Sequence, residues 1–347
     1  MKNLIKYAGI LAAAMLIVFA FASCGDEEDN AGAGSGPSIE NWTDASIFGG
    51  TAGTVRNYAV AYGNGTYIVG ASDGRIAYSN NLKNWNEVSG NPFGTGLLRS
   101  IAYGNNKFVI GGYAAAGGII GTSTEGASWT KYNAPGGVYD FTSVMWVNNR
   151  FVVTSGPRIM YSDTGNEGAW TEAVITPPVN PALNYDFRCV AYGGNRFIAS
   201  GGRAVDGGYY QPCIAVSTDN GQNWTVTDQS SLMPADNPVE NIAYGNGTFI
   251  MGGKAGVLAY STDNGTTWKR VANSTFGAVE IMDITWGNDT FVAVGGHNIV
   301  YSSNGITWNN ITYSKNWLVS GLYSLCYGDG AFLAGANDMW VIYCKVK

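Results

Sequence analysis

Two stretches of this chain carry nearly the same eight residues. Ser217–Trp224 reads Ser-Thr-Asp-Asn-Gly-Gln-Asn-Trp and Ser261–Trp268 reads Ser-Thr-Asp-Asn-Gly-Thr-Thr-Trp. Looser copies end at Trp85, Trp129, Trp170 and Trp308, which puts successive tryptophans about 40–54 residues apart. Repeats of that length form stacked arrays or propellers, because one such unit cannot bury its own apolar face. The eight residues have the chemistry of a tight turn between strands. Ser and Asp side chains accept bonds from turn amides, Gly takes a positive φ, and Trp packs back on its own strands.

The full unit is clearest in the fifth copy. Asn241–Gly245, Gly247–Gly253, Val257–Ser261 and Trp268–Val271 are four short apolar or alternating runs separated by turn residues, the pattern of a four-stranded antiparallel meander. An aromatic residue, followed by Gly in all copies but the third, ends the first run of each copy and reads as a turn signal. It occurs at Tyr62, Tyr103, Trp146, Tyr192, Tyr244, Trp286 and Tyr327, with Trp146-Val147 the weakest copy. The seventh copy lacks a fourth run before Lys347. Trp42, in phase with Trp85, supplies one from the other end of the chain. The expectation is an all-β, seven-bladed β-propeller of four-stranded antiparallel blades, closed by the N-terminal strand so that no blade edge is left unpaired. With 49 Gly, 21 Tyr and 11 Trp but 13% charged residues, the composition suits many short strands and tight turns.

Three segments are expected: a signal peptide at 1–23, a tether at 24–38 and the propeller at 39–347. Lys2 and Lys6 precede an apolar run from Tyr7 to Ala22 that is short for a membrane span. Phe21-Ala22-Ser23-Cys24 resembles a bacterial lipobox, which implies lipidation of Cys24, although Phe21 stands where Leu is usual. The acidic run Asp26–Asp29 and a Gly/Ser-rich stretch follow. The acidic run resembles the export signal of some Gram-negative surface lipoproteins, which implies an outer-membrane, surface-exposed protein held only by its lipid. Removing Lys2 and Lys6 leaves 17 basic against 25 acidic residues, a net −8. No basic run remains to grip nucleic acid.

The turns between first and second strands share one face with the Ser-to-Trp turns, so the loops on the other face are where function is expected. The longest are Val174–Asn184, Gly201–Cys213 and Val226–Pro238. Residues just ahead of the aromatic-Gly pairs converge on the channel mouth at that face. They are Arg56, Arg99, Asp140, Asp186, Arg188, Glu240 and Glu280. Asp140, Asp186, Glu240 and Glu280 are candidate catalytic carboxylates, since two at suitable separation could work as a glycosidase pair. Ion pairs lining the mouth are the plainer reading. Arg56, Arg99 and Arg188, with loop aromatics Tyr209, Tyr210 and Trp317, are candidate ligand contacts, because flat rings suit sugars or a protein's apolar anchors. Phe93, Tyr132, Tyr185, Phe276 and Tyr313 are also expected on that face, about half of these rings serving to pack blades together.

His297 is the only histidine, which leaves no His-rich metal site and no obvious triad base. The Asp-Asn-Gly turns carry too few carboxylates for calcium. Cys189, Cys213, Cys326 and Cys344 fall on first and third strands, about 9.5 Å apart, and read as buried free thiols.

The turns at Ser217–Trp224 and Ser261–Trp268 resemble Asp-box, or BNR, repeats, found in sialidases, xyloglucan hydrolases, sortilin-type receptors and bacterial surface propellers. The resemblance covers about residues 39–347 and implies the propeller fold. It does not imply an activity, since the Asp box is a structural turn away from the active site. Sialidases place an arginine in an Arg-Ile-Pro motif. Arg75-Ile76-Ala77 and Arg158-Ile159-Met160 both lack the proline, so no sialidase catalytic position carries over, and sialidases have six blades. The function expected is a monomeric, cofactor-free surface lipoprotein whose propeller binds glycan or protein without catalysis. The alternative is a glycoside hydrolase or lyase.

Overall fold

The structure is a computed structural model that describes residues 39, 41–49, 55–135, 140–178, 184–205, 209–234, 236–311, 321–337 and 340–346. All of them belong to one compact unit, Pro37–Lys347. Cys24, Tyr313 and Trp317 lie outside the described residues, as does the Tyr209 side chain.

Seven separate sheets form the ring, one per repeat, and the chain is a seven-bladed β-propeller. Blade 1 has first strand Asn57–Gly63, second Thr66–Ala71, third Ile76–Ser79 and fourth Asn86–Glu87. First strands of blades 2 to 7 are Leu97–Gly104, Ser143–Val147, Asn184–Gly193, Val239–Gly245, Asp283–Gly287 and Leu322–Gly328. The seventh blade closes as expected. Thr43–Ser46 runs antiparallel to the third strand Trp340–Lys345, with Thr43 opposite Tyr343 and Ser46 opposite Trp340.

The core is divided rather than central. Each of seven apolar clusters draws on two adjacent blades, so every blade interface is its own small core. In blades 2 to 6 a buried second-strand phenylalanine packs on two aromatics the repeat supplies. Phe249, for example, lies 4.6 Å from the Tyr244 ring and 6.4 Å from Trp268. The same three-ring stack recurs at Trp286, Phe291 and Trp308. In the repeated turn, Ser261 Oγ accepts the Gly265 amide at 2.8 Å and Asp263 Oδ1 accepts that of Thr267 at 2.8 Å. Trp268 Nε1 donates to the Gly265 carbonyl at 3.1 Å, and Gly265 takes φ +77°.

The glycine of the aromatic-Gly pair has a different reason from the one expected. Gly104 sits in its strand, and the turn is made by Asn105 and Asn106 at φ +47° and +58°. What requires glycine is the next blade, because a Cβ on Gly104 would overlap the Trp146 indole. The contact recurs from Gly63 to Tyr103, Gly193 to Tyr244, Gly245 to Trp286, Gly287 to Tyr327 and, across the seam, Gly328 to Tyr62.

Blade 4 departs from the four-stranded expectation. Val174–Thr176, expected within a loop, is a fifth strand parallel to Asn223–Asp228. Nor is Gly201–Cys213 a loop. The second strand runs Arg196–Val205 and the third Tyr209–Ser217, paired through Val205 and Tyr209, which makes a tall hairpin. Its second strand has ten residues where that of blade 3, Arg150–Ser155, has six. At about 3.3 Å per residue it stands ~13 Å higher on the loop face.

Chain direction fixes the two faces. Asn80 Nδ2 donates to the Gly65 carbonyl at 3.0 Å, which joins the repeated turn to the first-to-second-strand turn on one face. Thr43 and Tyr343 lie at that end of blade 7, and the Val346 amide donates to Gly330 there at 2.8 Å. The propeller is thus entered and left on the turn face, opposite the loops.

Candidate functional site

The first strands line a central cavity of about 1080 Å³. Its wall can be read by offset from the aromatic-Gly pair. Those aromatics, from Tyr62 to Tyr327, all line it. Four positions earlier, toward the loop face, come Tyr58, Arg99, Thr142, Arg188, Glu240, Met282 and Tyr323, one from each blade, and all seven line the mouth.

The charged candidates meet there in pairs. Arg99 Nε donates to Asp140 Oδ2 at 2.8 Å. Arg188 stands between two acids, with Nη2 on Asp186 Oδ2 at 2.9 Å and Nη1 on Glu240 Oε2. Burial pushes the Asp140 and Glu240 carboxyls up against the pull of their arginines, and the neighbouring charges of Asp186 and Glu280 push the same way. Burial opposes the Arg188 charge, but Glu240 and Asp186 outweigh it and its pKa lies above the ordinary value. Glu280 and Arg56 stand further out and do not line the cavity.

Tyrosines cover the arginines. Arg99 lies 5.2 Å over Tyr58, Arg56 lies 5.3 Å over Tyr323, and Tyr58 and Tyr323 meet edge to face at 5.3 Å. Arg56 Nη1 also donates to Tyr58 Oη at 2.9 Å. Tyr210, on the tall hairpin, stacks at 5.9 Å from Arg188. Other expected loop-face rings are elsewhere: Phe93, Tyr132, Tyr185 and Phe276 are buried between blades. An aromatic near a strand end is drawn into the closest blade interface, which offers more apolar area than an open mouth. Tyr113, on the blade 2 hairpin, lines the cavity and is 40% exposed.

One position deeper, a belt of hydrogen bonds joins neighbouring blades. Ser100 Oγ accepts the Val144 amide at 3.0 Å, Cys189 Sγ reaches the Ile242 carbonyl at 3.7 Å, and Ser324 Oγ donates to the Asn57 carbonyl at 2.7 Å. Asn241 Nδ2 donates to Asp283 Oδ1 at 3.0 Å, and Asp283 Oδ2 accepts the Leu325 amide at 2.6 Å. Burial pushes the Asp283 carboxyl up to about 7, against these donors and the Ile284 amide. Neither Asp283 nor the tyrosines Tyr58, Tyr113 and Tyr323 stood out in the sequence. The fixed offset from each aromatic-Gly pair is the signal that finds Tyr58, Tyr323 and Asp283.

Cys189, Cys213, Cys326 and Cys344 are free thiols, and His297 is exposed on a turn. Among the described residues, no group of three or more His, Cys, Asp or Glu is placed to hold a metal ion. No described helix is long and apolar enough to cross a membrane.

Fold and site together define a β-propeller whose central cavity has a charged mouth. No protein-family model matches the chain, and no curated protein sequence does. Among solved structures it is similar to YCF48 from Cyanidioschyzon merolae, at 13% identity and TM-score 0.63, over 87% of this chain and 98% of that one. A second YCF48 structure is bound to D1 peptide, at 11% identity and TM-score 0.64, over 88% and 95%. Virginiamycin B lyase from Staphylococcus aureus, with quinupristin, matches at 11% identity and TM-score 0.64, over 88% and 100%. Identities this low speak for the fold alone.

Proposed function

We propose that this protein is a lipid-anchored bacterial surface propeller that binds a protein segment at its channel mouth without catalysing a reaction. The observation that carries this reading is the pairing of the mouth carboxylates. A glycosidase needs one carboxyl to give a proton and a second to attack the sugar or activate water, whereas Asp140 is tied to Arg99, and Asp186 and Glu240 share Arg188. What remains is a rigid, partly aromatic, polar rim of the kind that recognises rather than transforms. The YCF48 structure with a bound peptide supports a protein ligand over a glycan.

The second reading, a glycoside hydrolase or lyase, draws on the upward-shifted Glu240 carboxyl and the similarity to a lyase of the same fold. One experiment addresses both. The purified protein is screened against peptide and glycan libraries for binding and for turnover. Binding without turnover is expected. Cleavage of any glycan that is lost in Asp140→Asn, Asp186→Asn, Glu240→Gln or Glu280→Gln would overturn the proposal. Separately, Cys24→Ser is expected to release the protein from the membrane fraction and to abolish an N-terminal lipid mass.

A further inference from the structure

Unsatisfied hydrogen-bonding atoms around the cavity are all of one kind. Among the described residues, the cavity-lining side chains with a buried polar atom lacking any partner are Asp140, Glu240 and Asn241, through Oδ1, Oε1 and Oδ1. All three are acceptors. Asn241 is more than nine-tenths buried, and both its donor bonds are already spent on Met282 and Asp283. A buried acceptor without a donor is costly, so native structures fill such positions with water or a ligand.

Charge points the same way. Of the charged residues at the mouth, Arg99, Asp140, Asp186, Arg188 and Glu240 line the cavity, three carboxylates to two guanidiniums. Both guanidiniums are committed to the protein's own acids. An acidic ligand would find a net negative arc. A cation would find spare acceptors and an attractive field.

The aromatic rim completes the picture. Tyr58, Tyr210 and Tyr323 each already have an arginine of this chain over the ring. Tyr113 lines the same cavity, is 40% exposed, and has no cation over its ring among the described residues. An exposed aromatic ring lining a cavity that carboxylates also line can receive an ammonium or guanidinium group.

We propose that the mouth recognises a basic side chain, lysine or arginine, of an extended protein segment, held by Asp140, Glu240 and Asn241 and covered by Tyr113. This rests on the binding reading above and names the group it selects. Lysine brings three donors and arginine five, neither with an acceptor to waste. The chain's net −8 after loss of the signal segment would steer such partners toward it.

The test uses two decapeptides of glycine, serine and asparagine, titrated calorimetrically into the full-length chain in detergent. One carries a central Arg-Lys pair, and the other carries citrulline and acetyl-lysine in their places. The basic peptide should bind at least tenfold tighter, weaken as salt rises, and lose its advantage in the Glu240→Gln, Tyr113→Ala double variant. The comparison on the unmodified chain decides the matter even where that variant fails to fold. Equal binding of the two peptides, or tighter binding of the neutral one, overturns the inference. Silence from both peptides while the chain binds another protein or glycan also overturns it, and assigns the three acceptors to water. Silence toward every peptide, protein and glycan overturns the binding reading as well.

Discussion

Gly104 lies directly beneath the indole of Trp146 in the next blade, leaving no room for a side chain on the glycine. The same contact recurs in six of the seven blade junctions, and it sets how closely first strands approach around the cavity. In the remaining junction Val147 takes the glycine position and packs into the blade 3/4 core.

Gly104→Ala should therefore destabilise the propeller by overpacking, about 1–3 kcal/mol. Its midpoint in urea should fall relative to Gly49→Ala, where an added Cβ meets nothing within 4 Å. Equal midpoints for the two variants would show that the junction yields freely.

Asp283 makes stability depend on pH in an unusual direction. Its folded pKa, about 7, lies above the ordinary carboxylate value of about 4, so the folded state holds this proton more tightly than the unfolded one. Its contribution is full below about pH 4 and is lost as pH rises to 7, at ~1.4 kcal/mol per unit within that window. Asp219, held down to about 2 by its turn partners despite some burial, acts oppositely and loses its contribution only in stronger acid. Denaturation between pH 4.5 and 8 should show stability declining toward pH 7 and then levelling. Asp283→Asn should flatten that slope, and an unchanged slope would assign it to another group.

Removal of residues 39–46 takes away the strand that covers Trp340–Lys345, together with buried Ile39 and Trp42. An open blade edge and a breached 6/7 interface should follow, with a loss of several kcal/mol out of the about 5–15 kcal/mol that hold such a domain, or aggregation. A melting temperature equal to that of the intact chain would show that the ring closes without this strand.

What the sequence determined by itself was the repeat and its consequences. Tight turns are local events, so Ser261, Asp263, Gly265 and Trp268 announce their turn within eight residues. Period and phase then counted seven blades and assigned Trp42 to the last. The charged residues at the mouth were legible for the same reason, since their distance from each aromatic-Gly pair is fixed along one strand. Tertiary structure decided everything that depends on the neighbouring blade. That Gly104 answers to Trp146, that Phe93 and Tyr185 are buried in junctions, that Arg188 joins Asp186 to Glu240, and that Asp283 is clamped by Asn241 and Leu325 are contacts between repeats about 40 residues apart. A repeat's pattern records which way its own side chains point. Which partner each one meets is set by the rotation from blade to blade, and only the closed ring fixes that.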